Sequence, residues 1–273
     1  MKETLEILVE KANTGDKKAL EAVIVAIKDF VYNLSLKMLL YPVDAEDATQ
    51  EILIKIITHL STYQNKSKFT TWVYRVSTNY LLTYKGKRSK AFAMPFSDYE
   101  ALIDQGQSDT VRYTTNAGEL SLLEEEVKVS CTQGLLLCLA PEDRMVYVLA
   151  EILDFNSIEG GEIMNCTSAN FRKKLSRSRT KIRNFLTNKC GLANPENPCR
   201  CTKKIDFLID NNIVDPTALR FAKFSQRSID LVDRLGDLEK TMAIYRSVPK
   251  AEAPKVILKA LQQTLTFDKH DKK

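Results

Sequence analysis

Apolar residues recur every three or four positions along the N-terminal third of the chain, the repeat of an α-helix with one buried face. The repeat breaks at Gly15-Asp16, at Tyr41-Pro42 and across the polar run Tyr63-Gln64-Asn65-Lys66-Ser67-Lys68, which carry residues that end helices or make turns. Four helices are predicted, roughly over 3–13, 17–40, 44–60 and 69–85. From 97 to 126 the pattern changes. Asp98, Glu100, Asp104, Asp109, Glu119, Glu124, Glu125 and Glu126 stand against a single base, Arg112, which predicts an acidic linker with little core of its own. The helical repeat resumes near Glu119 and runs to Thr187. A segment with prolines and cysteines, Cys190 to Cys201, then precedes a tail with amphipathic patterns around 205–211, 216–233 and 254–264.

The expected fold is all-α. A helical domain over 1–90 is followed by a linker over 91–127 and a second helical domain over 128–188. A Cys/Pro segment over 189–203 and a helical C-terminal extension over 204–273 complete it. Composition agrees: nine glycines and eight prolines in 273 residues are too few for a turn-rich β protein. No apolar run approaches the ~18 residues of a membrane span, and Met1-Lys2-Glu3-Thr4 leads into an acidic amphipathic pattern rather than a signal segment. A cytoplasmic chain is expected, whose six cysteines are reduced thiols or metal ligands rather than disulfides.

Charge distribution says more than the net +5. Ser157 to Met164 can form a short helix and Asn165-Cys166-Thr167 a tight turn, with Asn165 suited to the left-handed conformation. A longer helix then starts at Thr167 or Ser168. On it Phe171, Leu175 and Ile182 form a narrow apolar stripe, opposite Asn170, Lys173, Lys174, Arg177 and Lys181. Between Ser168 and Lys189 there are eight bases and no acid. Such a helix suits the major groove and its phosphates; a solvated basic helix on an ordinary bundle has the same pattern.

Two further segments carry chemistry. In Asp44-Ala45-Glu46-Asp47-Ala48-Thr49-Gln50-Glu51, Ala45, Ala48, Ile52 and Ile56 share a buried face. Glu46, Asp47, Gln50 and Glu51 lie on the other side, fringed by Leu53, Ile54 and Ile57, either as a protein-docking surface or as a plain solvated face. In Phe69-Thr70-Thr71-Trp72-Val73-Tyr74-Arg75-Val76-Ser77-Thr78-Asn79, followed by Lys85-Gly86-Lys87-Arg88, aromatics alternate with bases. Single-stranded nucleic acid is held in this way, by stacking and by cations along the backbone. Taken alone, Trp72 reads first as a core residue, since a lone tryptophan usually packs inside.

These segments, in this order, resemble region 2 and region 4 of sigma-70 family factors, and the short linker is similar to the extracytoplasmic-function group. The resemblance spans roughly residues 5–188. It implies that Asp44, Glu46, Asp47, Gln50 and Glu51 dock on the clamp coiled coil of core RNA polymerase. It implies that Tyr63, Asn65, Lys66, Trp72, Arg75, Asn79, Lys85, Lys87 and Arg88 melt the −10 element and hold its single-stranded non-template strand. Ser168, Asn170, Arg172, Lys173, Lys174 and Arg177 would read the −35 element in double-stranded promoter DNA. The acidic linker would thread toward the polymerase active site, and an anti-sigma factor is a further expected partner. Gly160, Gly161 and Asn165 depart from the usual residues of the helix-turn-helix, which puts the rigidity of its first helix in question, since each interior glycine costs about 1 kcal/mol relative to alanine.

Cys190, Cys199 and Cys201, in a loop with two prolines, have three readings: zinc ligands with a fourth from Cys166, His270 or a second chain, a redox pair, or a packed turn. Cys131 and Cys138 are expected in the core. Apart from zinc no cofactor is implied, and the absence of a P-loop, G-x-S-x-G or H-E-x-x-H pattern argues against an enzyme. An ordinary helix-turn-helix regulator is the competing reading, although it needs no acidic docking helix. The tail is long enough to act as a built-in regulator.

Overall fold

The structure, a computed structural model, describes residues 4–84, 94–219, 222 and 251–267. Helices α1 (Leu5–Asn13), α2 (Lys17–Leu39), α3 (Pro42–Thr58) and α4 (Phe69–Thr83) occupy the first third. Asp16 caps α2 by accepting from the amides of Lys18 and Ala19 at 2.9 and 3.1 Å. Helix α3 starts two residues earlier than the pattern implied, because Pro42 sits in its first turn, where its missing N–H is not needed. Ala45, Ala48, Ile52 and Ile56 are buried as expected, against a stripe of Val23, Ile27, Val31, Leu34 and Met38 on α2. Helix α2 packs on α1, α3 and α4.

Two compact units emerge, and they are not consecutive in sequence. Residues 155–172 and 250–273 group with 1–90, while 91–154 and 173–249 form the other. The first unit therefore adds α8 (Ser157–Ile163), the first turn of α9 (Ser168–Lys189) and α11 (Lys255–Phe267) to α1–α4. The second contains α5 (Phe96–Asp104), α6 (Ala117–Leu136), α7 (Pro141–Tyr147) with a π-helical turn over Val148–Ile152, the rest of α9, and α10 (Ile205–Asp210). No strand occurs among the described residues; an isolated bridge joins Cys190 and Cys199.

The acidic linker is more ordered than its composition implied. It contributes α5, whose Tyr99 and Ile103 are buried, and the start of α6, whose Leu123 and Val127 join Ile205, Ile209 and Val214 in one cluster. Arg112 anchors the intervening strand of chain: its Nε donates to Asp206 at 3.0 Å and its Nη2 to Asp210 at 2.5 Å. The linker's one base thus pairs with acids of the tail. The C-terminal end of α6 is closed by buried Arg144, which donates to the carbonyls of Leu136, Leu137 and Leu139 at 2.9–3.2 Å. Those are the carbonyls a helix end leaves without partners. Burial pulls the Arg144 guanidinium down to about 10. No described helix is long and apolar enough to cross a membrane.

Candidate nucleic-acid interface

On α3 the acidic residues divide by exposure. Asp47 and Glu51 are exposed, and Glu46 and Gln50 are half-buried. Asp44 is buried in the first turn, and its Oδ2 has no hydrogen-bond partner among the described residues; the positive end of the helix is the favourable feature there. Burial, then Asp47, raises the Glu46 carboxyl. Burial also pushes Tyr84 up to about 12, with Asp44 and Asp47 adding to it, and raises Tyr80, beside Glu51 and Asp47. The phenols at the end of α4 thus stand in the field of the α3 acids. Of the expected aliphatic fringe, Leu53 is fully buried, and Ile54 and Ile57 are half-buried.

The turn before α4 is preset. Asn65 takes a left-handed φ of 54°, which asparagine tolerates, and the Tyr63 hydroxyl donates to the Ser67 carbonyl at 2.7 Å. Asn65, Lys66 and Lys68 are left exposed at its tip. Tyr63, Phe69 and Trp72 form an aromatic group: Phe69 and Trp72 stack with centroids 5.6 Å apart, and Tyr63 lies 5.9 Å from Trp72. Phe69 and Tyr63 are buried. Trp72 is half-buried, so it belongs partly to the packing and partly to the surface. Asn79 is exposed, while Lys85, Lys87 and Arg88 lie outside the described residues.

Arg75 has a partner that the pattern gave no sign of. Its Nε donates to the Glu162 carbonyl of α8 at 3.0 Å. Tyr74 is sandwiched, stacked on Phe30 at 5.0 Å and met edge-on by Phe155 at 4.8 Å. Helix α8 packs on α4.

The helix-turn-helix forms where the sequence placed it. Asn156 and Glu159 make a reciprocal cap on α8. Asn165 takes φ 50° in the turn, and Thr167 Oγ1 accepts from the Asn170 amide at 3.2 Å to start α9. The two departing glycines permit close contact. A Cβ on Gly160 would lie 2.4 Å from the Phe171 ring, and one on Gly161 would lie 2.8 Å from the Cys166 carbonyl oxygen.

The basic face of α9 is less bare than its own sequence implied. Lys174 pairs with Glu142, Lys181 with Asp143 at 3.8 Å and Arg179 with buried Glu151 at 2.5 Å. These acids come from α7 and the π-helical turn, beyond the reach of a window on α9. Among the described residues exposed Lys173, Arg177 and Arg183 have no acidic partner, and Arg172 donates to the Ser157 hydroxyl at 3.2 Å. Asn170 is exposed and Ser168 half-buried.

Cys190, Cys199 and Cys201 come together, joined by Cys131 rather than Cys166. The four border a cavity of about 40 Å³ together with Lys128 and Lys204. Among the described residues no three His, Cys, Asp or Glu side chains are spaced to hold a metal ion, and His270 lies outside those residues. Burial raises the Cys199 and Cys201 thiols and pushes Cys131 up to about 12. Protonated, they line the cavity as apolar groups. Cys131 was expected in the core, but nothing in its own helix pattern linked it to the distant loop.

Residues 23–91 match the family model described as Sigma-70 region 2. The chain is 28% identical over 182 residues to the ECF RNA polymerase sigma factor SigW of Bacillus subtilis, covering 65% of this chain and 94% of that protein. It is 29% identical over 189 residues to the ECF RNA polymerase sigma-E factor of Escherichia coli, covering 66% and 93% respectively. About a third of this chain thus has no counterpart in either. A solved structure of the sigma factor RpoE in complex with the anti-sigma factor NepR from Bartonella quintana covers 62% of this chain and 98% of that one, at 15% identity and a TM-score of 0.43.

Proposed function

We propose a promoter-directing role for this chain, which belongs to the sigma-70 family and to its extracytoplasmic-function group. Its general part is transcription initiation with RNA polymerase. The finer reading is that it binds core polymerase through α3, opens and holds the −10 element with the 63–68 turn and α4, and reads the −35 element with α9. The observation that carries this reading is the pairing, within one packed unit, of an acidic helix with an aromatic helix. Asp47 and Glu51 stand exposed on α3, beside α4 with its Tyr63, Phe69 and Trp72 group.

Each part has the chemistry its task needs. Asp47 and Glu51, with Glu46 and Gln50 at the margin, offer carboxylates to a basic partner surface. Asp44, buried, supports the helix start instead. Lys66 and Lys68 are exposed cations in the turn that leads into α4, and the half-buried Trp72 leaves an edge on which an unpaired base can stack for about 1–3 kcal/mol. Asn170, Arg172, Lys173 and Arg177 form the exposed polar part of α9, which can contact base edges and phosphates. An anti-sigma factor is a further partner under this reading, and no catalytic residue is assigned.

The test is run-off transcription by core polymerase on fragmented genomic DNA, with start sites mapped with and without the protein. Start sites sharing upstream motifs only in its presence are expected, and none with Asp47→Lys combined with Glu51→Lys. No factor-dependent start sites would refute the reading. A simple repressor or activator would bind duplex DNA but leave core polymerase unbound.

A further inference from the structure

The surface of α2 and α3 already holds a segment of the same chain. Residues 251–253 lead into α11 without regular secondary structure, and two side chains of α2 bond to their main chain. Asn33 Nδ2 donates to the Ala251 carbonyl at 2.7 Å, and its Oδ1 accepts from the Ala251 amide at 2.8 Å. Asp29 Oδ1 accepts from the Ala253 amide at 2.8 Å. The two side chains stand four residues apart on α2, a rise of about 6 Å, and hold residues two apart in the segment. Asp29 and Asn33 therefore meet alternate residues of the strap. Asn33 is 4% exposed, and its Nδ2 also holds the Asp29 carbonyl at 2.6 Å, so both ends of the amide are used.

Beyond the strap, Ala253, Ile257 and Leu261 recur every four residues and are 6%, 0% and 2% exposed, whereas Glu252, Lys255, Val256 and Lys259 face out. That is an amphipathic helix with its apolar stripe seated. Helix α11 packs against α3, the helix that carries Glu46, Asp47, Gln50 and Glu51.

We propose that residues 251–261 are an internal occupant of the α2–α3 surface, latched by Asp29 and Asn33, and that seating this segment and docking α3 on core polymerase exclude each other. The inference rests on the polymerase-docking reading of α3 and adds its regulation: the chain carries its own competitor. The occupant is specified by main-chain hydrogen bonds in the strap and by apolar spacing in the helix. A signal that displaces the C-terminal segment would free α3.

The experiment follows amide hydrogen exchange of the full-length protein, alone and with core polymerase, beside titrations of core polymerase binding. In the free protein the amides of Ala251 and Ala253 and the helix through Leu261 are expected to be protected. Polymerase binding should remove that protection while leaving α2 protected. Full-length Asn33→Ala, and separately Ile257→Asp with Leu261→Asp, should bind core polymerase about tenfold more tightly, the gain when a competent state rises from a tenth of the population to nearly all of it. Protection retained in the polymerase-bound protein, or unchanged affinity in both folded variants, overturns the internal competitor and leaves the sigma reading standing. Failure of wild type and variants alike to bind polymerase overturns both.

Discussion

Gly160 and Gly161 show how a residue that weakens a helix in isolation can be required by what lies across from it. Alanine at either position gains about 1 kcal/mol of helix propensity. Against this, the new methyl would meet the Phe171 ring, which is fully buried, or the Cys166 main-chain oxygen, neither of which has room to retreat. Overpacking of this kind costs about 1–3 kcal/mol. Gly160→Ala and Gly161→Ala are therefore expected to destabilise the protein by roughly that amount less the propensity gain, read as a lower urea midpoint. A rise in the midpoint would show that α8 and α9 do not approach this closely. Asp206 is a second single-residue anchor. It is 4% exposed and accepts from both the main-chain amide and the Nε of Arg112. Asp206→Ala should release the 106–115 stretch and speed its cleavage in limited proteolysis. An unchanged cleavage pattern would mean that other contacts hold the linker.

At the scale of elements, what was legible in the sequence depended on whether the signal was local. Helices α1–α4, the α8–turn–α9 unit and the stripe of Phe171, Leu175 and Ile182 follow from periodicity and turn residues within a few positions, and all are present. Partnerships across the chain were not legible. Glu142, Asp143 and Glu151 neutralise part of α9 from another element. Asp206 and Asp210 hold the linker's one base, and Cys131 meets a loop about 60 residues away. The distinction matters for testing α9, because two arginines two residues apart have different surroundings. Arg177 is exposed and has no acidic partner among the described residues. Arg177→Ala should weaken binding to a −35 duplex and lower the slope of log affinity against log salt by about 1, with the melting temperature unchanged. Arg179 pairs with Glu151, which is 4% exposed. Arg179→Ala should instead destabilise the fold by about 1–3 kcal/mol, because it removes a charge-assisted pair to a buried carboxylate. Equal effects of the two variants on DNA affinity, without loss of stability in either, would contradict the division drawn here.

At the scale of the whole molecule, the packing of α8 on α4 conflicts with the proposed simultaneous reading of two promoter elements. Elements centred about 25 base pairs apart are separated by roughly 85 Å along the duplex at about 3.4 Å per pair. Helix α4 and the first helix of the helix-turn-helix are in contact, with Arg75 bound to the Glu162 carbonyl and Phe155 set edge-on against Tyr74. Under the proposed assignment of the −10 element to α4 and the −35 element to α9, the DNA-engaged form breaks these contacts, and part of the binding energy goes into opening the protein. An edge-on ring pair contributes about 0.5–1.5 kcal/mol. Phe155→Ala removes it from a residue outside the assigned DNA contacts and should shift the balance toward the open form. Promoter affinity of the holoenzyme is then expected to rise severalfold, at about tenfold per 1.4 kcal/mol, measured by fluorescence anisotropy on a fragment containing both elements. Affinity for a −35 duplex alone should rise much less, since α9 can be reached without moving α8 away from α4. If both affinities are unchanged while the variant remains folded, the α8–α4 contact is not a barrier to promoter engagement.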